Sequence, residues 1–248
     1  MSRYSITQAA AERLLRDLDI AVVKTMSRVV ADAREHLWLL ENIGTTDVLN
    51  DTDFQRRFCR HVGMRGKLRM RREELFLILD SIRRVPNRNY PDVLMQISEL
   101  TGQVEKSVAS EVLALLEPDQ PTIDREVREL MPRYGFHPLP ESPVFDECVA
   151  YHRSLRQMID EVLAMPLAQS LMKRLDEAIG EGAERLSPLR KFNLLLSGSY
   201  RTVALLPNFE AVRRAIPRTQ VAPPPEVVSV ASTAVINTRP GVRLHLCR

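Results

Sequence analysis

Cysteine, glycine and aromatic residues are all scarce in this chain, and each shortage removes a class of protein. The three cysteines among 248 residues, Cys59, Cys148 and Cys247, are widely separated and show no Cys-x-x-Cys or Cys/His spacing. Neither a disulfide framework nor a zinc site is expected, and reduced thiols fit a cytoplasmic location. Nine glycines and no alternating Val/Ile-rich runs argue against a sheet. No charge-free apolar stretch reaches the ~20 residues that cross a bilayer. The opening "MSRYSITQAAAERLLRDLDIAVV" has no basic segment leading into an apolar one, so neither secretion nor membrane insertion is expected. No glycine-rich nucleotide loop is present, "SGS" near Ser197 being too short, and His36, His61, His137 and His152 lack the spacing of a ligand set. No cofactor or metal is expected. The net charge of +3 is mild, so any case for a polyanionic partner rests on where the charge sits.

What the chain does contain is helical periodicity. Apolar residues make up 44% and charged residues 27%, ordinary for a packed globule, and they recur at three- and four-residue spacing. Leu14, Leu18, Val22, Met26, Val30, Leu37 and Leu40 form a stripe from Thr7 to about Asn42, compatible with one long helix or two shorter ones. Further helices are predicted from about Phe54, with Asp51 or Thr52 as cap, and over "REELFLILDSIRR", "DVLMQISEL", "REVRELM" and "FDECVAYHRSLRQMIDEVLAM". In the last of these, Tyr151 is expected in the core with His152 at its edge, and Trp38 is expected in the core of the first helix. After a break at Pro166 come "LAQSLMKRLDEAIGEG" and a helix capped by Ser187 with Pro188 in its first turn. The expectation is an all-α, multi-helix domain over residues 1–206. Residues 207–248, with a triple proline and no amphipathic pattern, read as an extended or disordered tail.

Charge is concentrated in one place. Arg56, Arg57, Arg60, Arg65, Lys67, Arg69, Arg71 and Arg72 follow one another with no acidic residue until Glu73. Two glycines in "GMRGKLRMRR" suit a loop that follows a phosphate backbone. The competing reading is complementarity to the nearby acidic residues, or to an acidic surface on a protein partner.

The stretch "LTGQVEKSVASEVLALLEPDQPTIDREV" joins two helical patterns through Gly102, continues with small residues, and approaches Asp124 between two prolines. Leu100, Val104, Val108, Val112 and Leu116 also run at i+4, as a buried helix would. At "LTG", "VASEVLALLEP" and "PTIDREV" the chain resembles the helix-hairpin-helix DNA glycosylase superfamily, with the glycosylase-like core at about residues 70–136. The flanking "FQRRF…RREELFLIL" and "FDECVAYHRSL" also resemble an uncharacterised bacterial family of that arrangement. The resemblance implies a two-lobed helical fold, DNA as partner, and N-glycosidic bond cleavage. Asp124 would be the catalytic carboxylate, Lys106 would stand near the nucleophilic lysine of bifunctional members, and Gly102 would lie in the phosphate-gripping hairpin. The hairpin's second glycine is missing, and Glu105 stands where a phosphate would approach. From the residues alone, Asp124 equally suits an N-cap bonded to the N–H of Glu126 or Val127. A non-catalytic helical interaction module is the alternative reading for the whole chain.

Overall fold

The computed structural model describes residues 4–64 and 66–206, the side chains of Lys67 and Leu68 excepted. Arg65, the Lys67 side chain and the expected tail at 207–248 lie outside the described residues. Among those described there is no strand. Ten α-helices follow in order: α1 Gln8–Ile43, α2 Thr52–His61, α3 Gly66–Met70, α4 Arg72–Arg83, α5 Tyr90–Thr101, α6 Lys106–Leu116, α7 Arg125–Leu130, α8 Phe145–Leu163, α9 Pro166–Ile179 and α10 Pro188–Leu205. The all-α expectation holds.

The first helix is continuous. Thr7 caps it by accepting from the Ala10 N–H at 3.2 Å, and no proline or glycine interrupts its 36 residues. Its buried face departs from the predicted stripe. Leu14, Leu18 and Val22 are buried, but beyond them the core side is taken by Thr25, Val29, Ala33 and His36, while Met26 and Val30 are only partly covered. Each i+4 step turns 400°, so a strict four-residue stripe drifts by about 40° per step and leaves the core face within three or four steps. The observed residues interrupt their four-residue steps with three-residue ones, at Val22 to Thr25 and Ala33 to His36, and stay on it.

That face packs along α10, and the two helices run antiparallel. Thr25 meets Ser199 hydroxyl to hydroxyl at 3.0 Å, Val29 abuts Gly198, and His36 meets Arg190. A Cβ on Gly198 would stand 2.5 Å from Val29 Cγ2, so glycine is what lets the backbones approach here. Ser187 caps α10 through the Arg190 N–H, with Pro188 in the first turn, as expected, and the helix then runs past "LSG" to Leu205.

Of the remaining helices, α2, α6 and α9 pack on α1, and α7, α8 and α9 on α10, while α5 packs on α4, α6 and α8. Asp51, not Thr52, caps α2, accepting from the N–H groups of Asp53 and Phe54. Asn89 caps α5. The Leu100-to-Leu116 series does not form one helix. Gly102 adopts φ +66°, ends α5, and a three-residue turn leads to α6. Tyr151 is fully buried, as expected. His152, expected at the edge, is buried too: its ring stacks on Tyr90 at 4.0 Å and its Nε2 lies 3.1 Å from the Pro121 carbonyl oxygen. Trp38 is only half-buried, at the seam between α1 and α2, where it faces Phe54.

Candidate nucleic-acid interface

The basic segment folds into α2, α3 and the start of α4, and it keeps its arginines near the surface because the apolar residues between them point inward. Phe54 and Phe58 on α2 and Phe76 on α4 are buried and in ring contact, leaving Arg56, Arg60, Arg69, Arg71 and Arg72 exposed. The acids that meet these arginines come from both sequence neighbours and another helix. Arg56 pairs with Asp53, Arg71 Nε donates to Glu74 at 2.7 Å, and Arg60 reaches Glu35 of α1 at 2.6 Å. Arg57 is held between Asp53 and Glu35 at 3.2 and 3.6 Å, with its guanidinium 4.1 Å above the Trp38 ring. Arg72 donates to Gln55 at 2.6 Å. Such exposed pairs contribute roughly 0–1 kcal/mol each and are screened by salt, so phosphates can compete for the same guanidinium groups.

The hairpin adjoins this face. Arg71 Nη1 donates to the Leu100 carbonyl at 3.3 Å, two residues before Gly102. The hairpin's own N–H groups are engaged internally: Gln103 donates to Thr101 Oγ1 at 3.3 Å, and Glu105 to Ser98 Oγ at 3.1 Å. Lys106 opens α6 and lines a cavity of about 470 Å³ with Gln103, Val104, Glu105, Glu141 and Ser142. Its Nζ donates to the Glu141 carbonyl at 3.2 Å. Burial, and next Arg128, hold the Lys106 ammonium below the ordinary lysine range.

Asp124 occupies the N-cap of α7, where Oδ1 accepts from the Val127 N–H at 2.6 Å and Oδ2 accepts from the Ser197 hydroxyl of α10. Of the two N–H groups weighed from the sequence, Val127 is the one bonded. The residue as a whole is half-buried, but its carboxyl is well withdrawn from water. That desolvation, with Glu111 as the next cause, pushes its pKa up to about 7 against the two hydrogen bonds that favour the anion.

Glu111 belongs to a buried polar cluster that sequence spacing did not reveal. His36 of α1, His61 of α2, Glu111 of α6 and Arg190 of α10 converge in the interior. Arg190 Nη2 lies 3.0 Å from His36 Nδ1, 3.1 Å from His61 Nε2 and 3.2 Å from Glu111 Oε2. The two imidazole nitrogens are themselves 3.1 Å apart. One NH2 group has two hydrogens, so it cannot satisfy three acceptors, and Arg190 Nε and His36 Nε2 are buried without a hydrogen-bond partner. Burial first, then Arg190, keeps His36 well below the ordinary imidazole range; burial also lowers His61, with Glu111 opposing. Both rings are therefore neutral at neutral pH.

The structure thus brings the basic segment to the end of α5 and brings Asp124 to Glu111 and Ser197. It does not bring Lys106 to Asp124. Glu35, Trp38 and Arg190 join these sites from helices more than ten residues away in sequence, and no local motif marks them. Comparison with family models, curated proteins and solved structures found no match.

Proposed function

We propose that the protein binds nucleic acid through the face formed by α2, α3 and the first turn of α4. The observation that carries this reading is the concentration of charge. From Asp53 to Glu74 the sequence holds eight cations and three carboxylates, and even with Glu35 of α1 counted the excess is larger than the +3 of the entire chain; among the described residues the acids paired with these arginines are Glu35, Asp53 and Glu74. Arg56 and Arg60 of α2 and Arg72 of α4 are exposed on helices joined by a buried aromatic cluster, and Arg69 and Arg71, between those helices, are exposed as well. Phosphates arriving there release condensed counterions, and that release is the main source of sequence-independent affinity.

Fluorescence anisotropy with labelled DNA over a salt series tests the reading. Affinity should fall steeply, with a log–log slope of roughly 0.9 per phosphate contact on duplex. Reversal of Arg69 and Arg71 to Glu should reduce both affinity and slope. Unchanged values in that variant would remove the face from the interface, and binding to acidic proteins but not to DNA would favour the protein-partner reading.

Base excision at Asp124 is a second reading, favoured by a carboxyl that titrates near neutrality and so suits proton transfer. Both its oxygens already accept hydrogen bonds within the fold, which supports binding ahead of chemistry. Single-turnover assays on a panel of damaged duplexes decide between them. Base release by the wild type that is lost in Asp124→Asn would establish the second reading.

A further inference from the structure

One edge of the basic face is not built for phosphate. Arg34, Leu37, Trp38 and Glu41 lie on one side of α1, and with Ile179 at the end of α9 and Glu181 just beyond they line a cavity of about 430 Å³. That volume is within the ~300–1,000 Å³ typical of small-ligand sites. Its floor is apolar, from Leu37 and Ile179, and its walls carry both a cation and carboxylates. Arg185 occupies Glu41, but Arg34 and Glu181 have no hydrogen bond or ion pair among the described residues. The indole of Trp38 joins this cavity to the arginines, because Arg57 of α2 lies over it at 4.1 Å and Phe54 packs beside it. Arg57 is in turn fixed by Asp53 and Glu35, and Glu35 also holds Arg60. A half-exposed tryptophan, held by an arginine on the cationic face and opening onto a cavity with an apolar floor and free polar groups, suits a flat heteroaromatic ring.

We propose that this cavity takes an unpaired nucleobase, which stacks on Trp38 while the strand it belongs to runs over the arginines of α2, so that the protein favours single-stranded nucleic acid. This rests on the nucleic-acid reading above and adds a site to it. Stacking supplies affinity that is indifferent to base identity, because every base has an aromatic face. Arg34 and Glu181 face the edge of the ring with a donor and an acceptor. Arg57 is a positioning residue: it braces the indole and places positive charge beside the entering strand.

Trp38 is the only tryptophan in the chain, so its emission reports on the cavity directly. The full chain is titrated with oligo(dT), with the matching oligoribonucleotide, with an abasic oligonucleotide of equal length, with duplex DNA and with inorganic polyphosphate. Oligo(dT) should quench Trp38 and bind roughly tenfold or more tighter than the abasic strand, the stacking contribution of a base or two. Quenching by one sugar type alone would assign the site to that strand. Arg57→Lys keeps the charge but loses the planar brace; it should weaken quenching and oligo(dT) affinity by a larger factor than it weakens polyphosphate affinity, and equal losses on both probes would remove the brace from the proposal. Equal affinity for oligo(dT) and the abasic strand, with no change in emission, overturns the nucleobase site while polyphosphate and duplex binding leave the basic face standing. Absence of binding to every probe overturns both.

Discussion

Ser197 of α10 donates its hydroxyl to Asp124, the residue that caps α7, so one carboxyl both starts a helix and fastens it to another. Removing the hydroxyl in Ser197→Ala leaves a dehydrated carboxyl with one partner fewer. A loss of about 1–3 kcal/mol is expected in chemical denaturation. A change indistinguishable from zero would mean that water replaces the hydroxyl.

Asp124 also dictates a pH signature. Its folded pKa of about 7 lies above the 3.8 of a free aspartate, so its stabilising contribution is complete below 3.8 and is lost as pH rises through about 7. Asparagine caps a helix nearly as well and does not ionise. Asp124→Asn should therefore match wild type in acid and exceed it near and above neutrality, by on the order of 1–3 kcal/mol. Thermal unfolding of both proteins across that range is the check, and a constant difference at every pH would refute the assignment.

The histidine pair contributes with the opposite sign. The folded pKa values of His36 and His61 lie below 6.5, so the unfolded chain binds protons first and stability falls as pH drops below 6.5. Arg190→Met should cost about 3–5 kcal/mol, because it leaves Glu111 as an unpaired buried charge, and adding Glu111→Gln should recover part of that. No recovery in the double variant would place the cost of losing Arg190 elsewhere.

At the crossing of α1 and α10, Gly198→Ala puts a methyl against Val29 and should destabilise by about 1–3 kcal/mol. Adding Val29→Ala should restore a measurable part of the loss, which a double-mutant cycle reads directly. Strictly additive losses would show that the helices are not in close contact there.

Most helices were legible in the sequence because caps and prolines are local: Asp51 and Ser187, read as caps, each act within three residues of themselves, whereas α3 falls in the glycine-interrupted segment that was expected to be a loop. The turn at Gly102 was legible for the same reason, since a left-handed residue ending a helix calls for glycine. The arginine face was visible as a run. Its electrostatics were not, because Glu35 reaches Arg57 and Arg60 from α1, and spacing along one helix says nothing about a carboxylate arriving from another. His36 and His61 failed to register for a similar reason. They are 25 residues apart and meet only once α2 folds back on α1. Asp124 was recognised as a cap, but its elevated pKa depends on Glu111 from α6 and on burial, which only the tertiary structure supplies.

The pairing of α1 with α10 has a consequence during synthesis. The helix that carries the longest apolar face is made before the helix that covers it, which begins only at residue 188, well over a hundred residues after α1 ends at Ile43. At roughly 5–20 residues per second the nascent chain spends on the order of ten seconds with Leu14, Leu18, Val22 and Val29 lacking their final cover. That interval is when the chain is most open to wrong contacts, and its length is fixed by helix order.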